Sequence, residues 1–206
     1  VKLTCNFGEL IPFMCNEVVP GDVFSNKSEL FLRFAPLLAP IMHEVNVYTH
    51  FFYVPNRLIW EDWEDFITGG VTGEDAPVHP YFAFKGSSAV SKGSLGDYLG
   101  LPLGINPGSP FYVNSLPFRA YNLIYNEYYR DQTLSKEAYL SLKSGGEFYS
   151  NKYDKVQKRA WEKDYFTSAL PFPQRGDDVH INAGSTAPVK GDGGPLYFKT
   201  EEGTAD

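Results

Sequence analysis

Residues 44–54 constrain the fold most, because they are apolar on both faces of an extended chain. Val45, Val47, Phe51 and Tyr53 lie on one side with Thr49; Tyr48, Phe52 and Val54 lie on the other. Successive strand side chains point to opposite faces, so the pattern predicts a strand covered on both. One cover is a core, and the other is an insertion or a neighbouring subunit. Two shorter segments share the period. Leu3, Cys5 and Phe7 oppose Lys2, Thr4 and Asn6, and Leu30, Leu32 and Phe34 oppose Glu29 and Arg33. Both predict half-buried strands. Phe31 interrupts the polar side and asks for a cover of its own. Pro12 marks residues 9–18 as an edge or a bulge. Pro36 and Pro40 keep residues 35–40 out of any regular element.

Helical signals come later in the chain. Ile59, Trp60, Trp63, Phe66 and Ile67 recur at helical spacing while Glu61, Asp62, Glu64 and Asp65 point away, which predicts a helix over 57–67. Asn56 is its N-cap and Gly69 its stop. Ser115 and Pro117 open a second helix reaching residue 131, with Phe118, Tyr121, Tyr125 and Tyr128 as its stripe. Two more helices are expected at 136–143 and 152–165. Residues 71–115 read as loop with a short turn at 95–99. Residues 176–206 are rich in Gly and Asp, with one strand candidate at 196–199. There is no internal repeat.

Composition narrows the class. The 206 residues suffice for one domain with a sizeable core. Aromatic residues make up 16%, as 14 Tyr, 16 Phe and 3 Trp, and aromatics favour strands and dominate interfaces. Fifteen Pro and 19 Gly force many turns. The result is a loop-rich β protein that is heavily buried or heavily assembled. A net charge of -7 argues against bulk electrostatic binding of nucleic acid, so any such contact is local. Cys5 and Cys15 are too few for a disulfide scaffold and read as inert core thiols. No apolar run approaches the ~20 residues that span a bilayer. The chain begins without Met in a strand-like segment and has no signal-peptide layout, so residues upstream are expected.

No constellation reads as catalytic. The carboxylates Glu61, Asp62, Glu64 and Asp65 lie on a helix's outer face, whereas a hard cation needs convergent oxygens. His43, His50, His79 and His180 lack metal-ligand spacing, and His50 reads as packed or hydrogen-bonded. Residues 191–194 are a flexible turn, not a phosphate loop. The aromatic stripes read first as packing and second as platforms for bases. Lys152, Lys155, Arg159 and Lys163 recur at i, i+3, i+7 and i+11, one face of the expected fourth helix, with Lys158 beside them. That stripe is either a solvated, salt-bridged face or a contact for nucleic-acid phosphates.

An ordered set of segments gives a resemblance. These are PGD at 20–22, RFAPLLAPIMH at 33–43, VNVYTHFF at 45–52, VPNRLIW at 54–60, WEDFITGG at 63–70, LPFRAYNLIYNEYYRDQ at 116–132 and DYFTSALPFPQRG at 164–176. Together they resemble the front of the major capsid protein of Microviridae, small icosahedral single-stranded DNA phages, and specifically the gokushovirus branch. The resemblance implies a mainly β viral jelly roll, an eight-stranded antiparallel Greek-key barrel with large helical and loop insertions, only partly covered here. Residues 1–55 would be its first strands, 56–176 an insertion segment, and 177–206 a segment leading to a further C-terminal part.

The implied function is self-assembly into an icosahedral shell around circular single-stranded DNA, in a virion assembled in the bacterial host cytoplasm. Implied partners are copies of the chain, the genome, a small basic DNA-binding virion protein and a host receptor met through loops, with no membrane segment, catalysis, metal or cofactor. Interface candidates are Trp60, Trp63, Phe66, Tyr125, Tyr128, Pro171, Phe172, Pro173 and Arg175. Candidates for DNA contact are Lys152, Lys155, Arg159 and Lys163. Two other classes stay open: a secreted β-sandwich carbohydrate-binding module, suggested by the Tyr and Trp content, and a glycosidase, for which no carboxylate pair stands out.

Overall fold

The computed structural model describes residues 1–84, 90–104, 111–172 and 176–177. The chain divides into two compact units, Val1–Glu162 and Lys163–Asp206. Regular structure among the described residues is a small mixed sheet with a few short helices, and all of it lies in the first unit.

The sheet grows around one strand. β1 (Tyr81–Phe84) buries Phe82 and Phe84 completely, while Tyr81 and Ala83 face the other way. It pairs antiparallel with β2 (Phe111–Asn114) and parallel with β3 (Gly146–Phe148), giving the order β2-β1-β3. The inward face is nearly all aromatic. Phe84 stacks on Tyr149 at 4.5 Å and on Phe111 at 4.6 Å, and Phe82 meets Tyr153 at 4.6 Å and Phe118 at 5.2 Å. Val90 and Leu95 close this cluster. Burying one such Phe stabilises the fold by roughly 1.5–3 kcal/mol.

Phe118 belongs to α3 (Leu116–Ile124), which connects the sheet to a second cluster of Ile59, Trp60 and Leu116. Arg119 and Asn122 on α3 are fully buried. The helix opens at Ser115 with Pro117 in its first turn, as its sequence predicts. The N–H of Leu116, its first residue, donates to Asn114 Oδ1 at 2.9 Å. It then widens into a π-helical turn over Tyr125–Tyr129, where Arg130 N–H donates to Tyr125 O at 2.9 Å.

The helix expected over 57–67 is broken in two. A 3₁₀ turn, Asn56–Leu58, precedes α1 (Trp63–Thr68). Between them Glu61 N–H donates to Leu142 O at 3.0 Å, a tertiary bond that interrupts the helical ladder. Pro55, not Asn56, holds the N-cap position of the 3₁₀ turn. Gly69 does stop α1, in the left-handed conformation at φ +82°, with its N–H donating to Asp65 O.

Residues 136–143 and 152–165 form no helix. Their backbone groups are engaged elsewhere. Asn122 Nδ2 donates to Tyr139 O, and Asn126 exchanges two bonds with the Ala138 backbone at 2.7 and 2.9 Å. Asp154 O accepts from Leu95 N–H, Gln157 O from Leu10 N–H, and Ala160 N–H donates to Tyr129 O. A helix would forfeit these tertiary bonds.

The strands expected at 2–7, 29–34 and 44–54 are also absent. A strand needs a neighbour for its ladder, and among the described residues these segments have none. Their apolar side chains are exposed, with Phe31 91% open to solvent. Conversely, β1 and β2 lie in the stretch read as loop; α2 (Leu95–Tyr98) matches the turn expected there. The candidate strand at 196–199 and the turn at 191–194 lie outside the described residues.

Candidate functional site

The residues singled out by sequence fall into an aromatic nest around α1 and a mixed aromatic and basic surface at the end of α3. In the nest, Trp60 meets Phe66 at 4.8 Å, His79 at 5.3 Å and Trp63 at 5.8 Å. Trp60 is fully buried, and its Nε1–H donates to Ser144 Oγ at 2.6 Å. Ser144 Oγ–H donates in turn to Asp62 Oδ2 at 2.5 Å. Trp60 is therefore an internal anchor, and Tyr125, the first residue of the π turn, is buried as well. Trp63 is half-buried and Phe66 is at the surface, so the outer side of the nest belongs to these two. Asp62 has a structural partner, and among the described residues no group of His, Cys, Asp or Glu could hold a metal.

The second surface gathers residues distant in sequence. The His50 ring stacks on Tyr129 at 5.7 Å and 16°, and His50 Nδ1 shares a 2.5 Å hydrogen bond with Tyr129 Oη. His50 is thus hydrogen-bonded, as expected. Tyr128 makes T-shaped contacts with His50, Phe52 and Tyr129 at 4.9–5.6 Å, and remains 61% exposed. Arg159 lies over the Tyr48 ring with Cζ 5.6 Å from its centroid. Burial pushes the Tyr129 phenol up, and the Arg159 charge pulls it part of the way back.

A strap fixes the basic residues there. Arg159 N–H donates to Gly8 O and Leu10 N–H to Gln157 O, with Glu9 and Lys158 bridged antiparallel between them. Tyr121 Oη–H donates to Leu10 O and accepts from Gln157 N–H at 2.8 Å. Hydrogen bonds from Asn6, helped by the Lys158 charge, hold the Glu9 carboxyl below its usual range. Lys155, Lys158 and Arg159 line an open pocket of about 490 Å³ with Tyr125, Asp131, Ser135 and Gln157. Lys152 instead lies 5.2 Å from the Tyr139 ring centroid.

Without a helix at 152–165, the i, i+3, i+7, i+11 spacing defines no common face, and Lys163 belongs to the second unit. Lys155 and Arg159 still share the pocket. Of the 171–175 candidates, Pro171 is exposed and Phe172 half-buried, while Pro173 and Arg175 lie outside the described residues. Cys5 and Cys15 are both exposed, contrary to the expected core thiols. Sequence reading missed Arg119 and Ser144, whose roles depend on contacts 24 to 84 residues away.

Many large apolar residues from Val23 to Tyr53 are exposed, and the aromatic nest brings Phe66 to the surface. Over residues 1–205 the chain matches the phage capsid protein (F protein) family, and it belongs to that family. It is 38% identical over 202 residues to the capsid protein VP1 of Chlamydia phage 1, an alignment covering 87% of this chain and 33% of that protein. Against the VP1 capsid proteins of Bdellovibrio phage phiMH2K and Spiroplasma virus 4 the identities are 33% and 34%, over 91% and 96% of this chain and 34% and 39% of those proteins. The resemblance to Microviridae capsid proteins is thus borne out. The chain spans about a third of the length of the curated relatives it matches.

Proposed function

We propose that this chain forms part of the wall of an icosahedral shell enclosing circular single-stranded DNA, as a structural and non-enzymatic component of the virion. The observation that carries the reading, beside family membership, is the set of apolar side chains left open between residues 23 and 42. Val23, Phe31, Leu38 and Met42 are each more than four-fifths exposed. Large apolar side chains left open in this number call for a cover by further protein. No helix among the described residues is long and apolar enough to cross a membrane. The carbohydrate-binding alternative has no observation in its favour.

In this reading residues 1–55 become the first strands of a jelly roll when partner strands are supplied from outside residues 1–206. Residues 56–176 form the insertion segment and 177–206 lead onward. Trp63, Phe66 and residues 171–175 meet symmetry mates, while Trp60 and Tyr125 support them from within. Lys152, Lys155, Arg159 and Lys163 contact the genome, which a small basic virion protein also binds. Loops elsewhere meet the host receptor, and assembly takes place in the host cytoplasm.

Electron microscopy of the full-length protein tests the central reading. Round shells of uniform diameter are expected. A protein that stays monomeric and disperse under all assembly conditions overturns it.

A further inference from the structure

Beside Arg159, rings from residues 48–52 and 128–129 converge on one surface. Tyr48, His50, Phe52, Tyr128 and Tyr129 form one continuous patch, in which neighbouring centroids lie 4.9–6.4 Å apart. Three rings hold Tyr128 from one side, yet Tyr128 is 61% and Tyr48 64% exposed. The patch sits on a π-helical turn, a rare irregularity that recurs at functional sites. The strap fastens cations to its border, because Arg159 N–H is bonded to Gly8 O and the next N–H to Tyr129 O.

Charge adds a second observation. The chain is acidic overall, but residues 152–160 hold Lys152, Lys155, Lys158 and Arg159 against Asp154 alone. The Asp154 carboxylate is occupied by Gly96 N–H at 2.8 Å. Exposed rings bordered by a guanidinium and ammonium groups suit the alternating bases and phosphates of an unpaired strand. Bases in a duplex are already stacked and present no free face. Every base has a π-face, so such a platform tolerates any genome sequence.

We propose that Tyr128, held by His50, Phe52 and Tyr129, is a stacking platform for a base of single-stranded DNA, with Arg159 and Lys155 binding the flanking phosphates. The inference rests on the shell reading for the source of the strand. Arg159 stacked on Tyr48 keeps the N–H edges of its guanidinium for phosphate oxygens.

Full-length protein dissociated from particles is titrated with a fluorescent oligothymidylate about a dozen nucleotides long, and with an abasic strand of equal length. Tyr128→Leu is expected to weaken oligothymidylate binding about tenfold and leave the abasic strand unchanged. Tyr128→Trp restores binding. Arg159→Gln weakens both strands and makes the salt dependence shallower by about one phosphate contact. In intact particles, DNA carrying 5-iodouracil crosslinks to peptides containing Tyr48 or Tyr128; this holds even if a variant fails to fold. Equal wild-type affinity for the two strands, or crosslinks confined to other peptides, overturns the proposal. Unchanged DNA binding by Tyr128→Leu together with lost assembly overturns it too and assigns Tyr128 to a subunit contact. Failure of the wild-type protein to form shells strikes the shell reading and leaves the titration result standing.

Discussion

Arg119 and Glu147 form an ion pair across the core, with Nη2 3.3 Å from Oε1 and the arginine side chain wholly enclosed. The glutamate side chain is 22% exposed, so the pair is a buried cation reaching a carboxylate at the edge of the interior. The same guanidinium donates to Ile59 O at 3.0 Å and Lys143 O at 2.8 Å. It thereby joins α3, the segment before α1 and the approach to β3. Burial lowers the Arg119 pKa, and the Glu147 charge opposes that shift. Arg119→Met is expected to destabilise the fold by about 3–5 kcal/mol, since three acceptors lose their donor at once. Arg119→Lys recovers only part, because one ammonium cannot span the fork. Denaturant titration of the full-length protein measures both.

Gly96 is required by space. A Cβ there would lie 2.5 Å from Tyr149 Oη and 3.0 Å from Val90 Cγ1, both in the aromatic cluster. Gly96→Ala is expected to cost about 1–3 kcal/mol through overpacking. Gly96→Ala combined with Tyr149→Phe should relieve part of that cost, which thermal melting of the double variant reads directly.

The aromatic nest separates folding from assembly. Trp60→Ala should lower folding stability by about 3–5 kcal/mol, because the ring is fully buried and its Nε1–H is bonded. Phe66→Ala removes a ring that is 36% exposed and should cost less stability while lowering the yield of shells. Glu64→Ala, on the polar side, should change neither measurably. Melting temperature and sedimentation of particles report the two effects separately, and equal loss of stability in Trp60→Ala and Phe66→Ala would refute this division.

Alkaline pH should unfold the protein through buried phenols. Burial raises the pKa of Tyr121, Tyr149 and Tyr153 above the ordinary value of 10.0, and Tyr153 Oη–H donates to Glu147. The folded state keeps these protons where the unfolded chain has lost them. Their contribution is therefore complete below pH 10 and falls as pH rises above it. The slope is up to about 1.4 kcal/mol per pH unit for each tyrosine. Stability measured from pH 9 to 11 should fall less steeply in Tyr153→Phe than in the parent.

Reversing both Lys155 and Arg159 to Glu should lower the DNA content of particles while shells still form. Both residues line one pocket, so two reversals put four charge units against the strand at one place. Loss of all shells would place the pocket at a subunit boundary, and full particles would leave it as solvated surface.

The elements legible in the sequence are those whose signal is local. Gly69 stops α1 because a residue without Cβ enters the left-handed region at little cost, and Ser115 and Pro117 open α3 through the geometry of a first helical turn. β1 and β2 were hidden in a Gly- and Pro-rich stretch. Their signal was two Pro-led aromatic runs, PYFAF at 80–84 and PFYVN at 110–114, each too short to stand out by period. The third and fourth helices failed for the opposite reason. Their residues have helical spacing, but Asn122, Asn126, Tyr129 and the 8–10 strap take up their backbone groups.

By itself the sequence determined the family, through seven ordered segments, and the chemistry available: many rings and a net negative charge. It also determined that residues 44–54 would carry apolar side chains on both faces, since alternation is a property of the extended chain. Only the tertiary structure decided which rings are anchors and which are surface. Trp60 and Trp63 belong to one predicted stripe, yet the bond from Glu61 N–H to Leu142 O breaks that helix and sends Trp60 inward. His50, Tyr128 and Arg159 lie far apart in sequence and meet only because the π turn and the strap converge. Local periodicity fixes where a side chain points relative to its own backbone; what it meets there depends on long-range hydrogen bonds that no local pattern encodes.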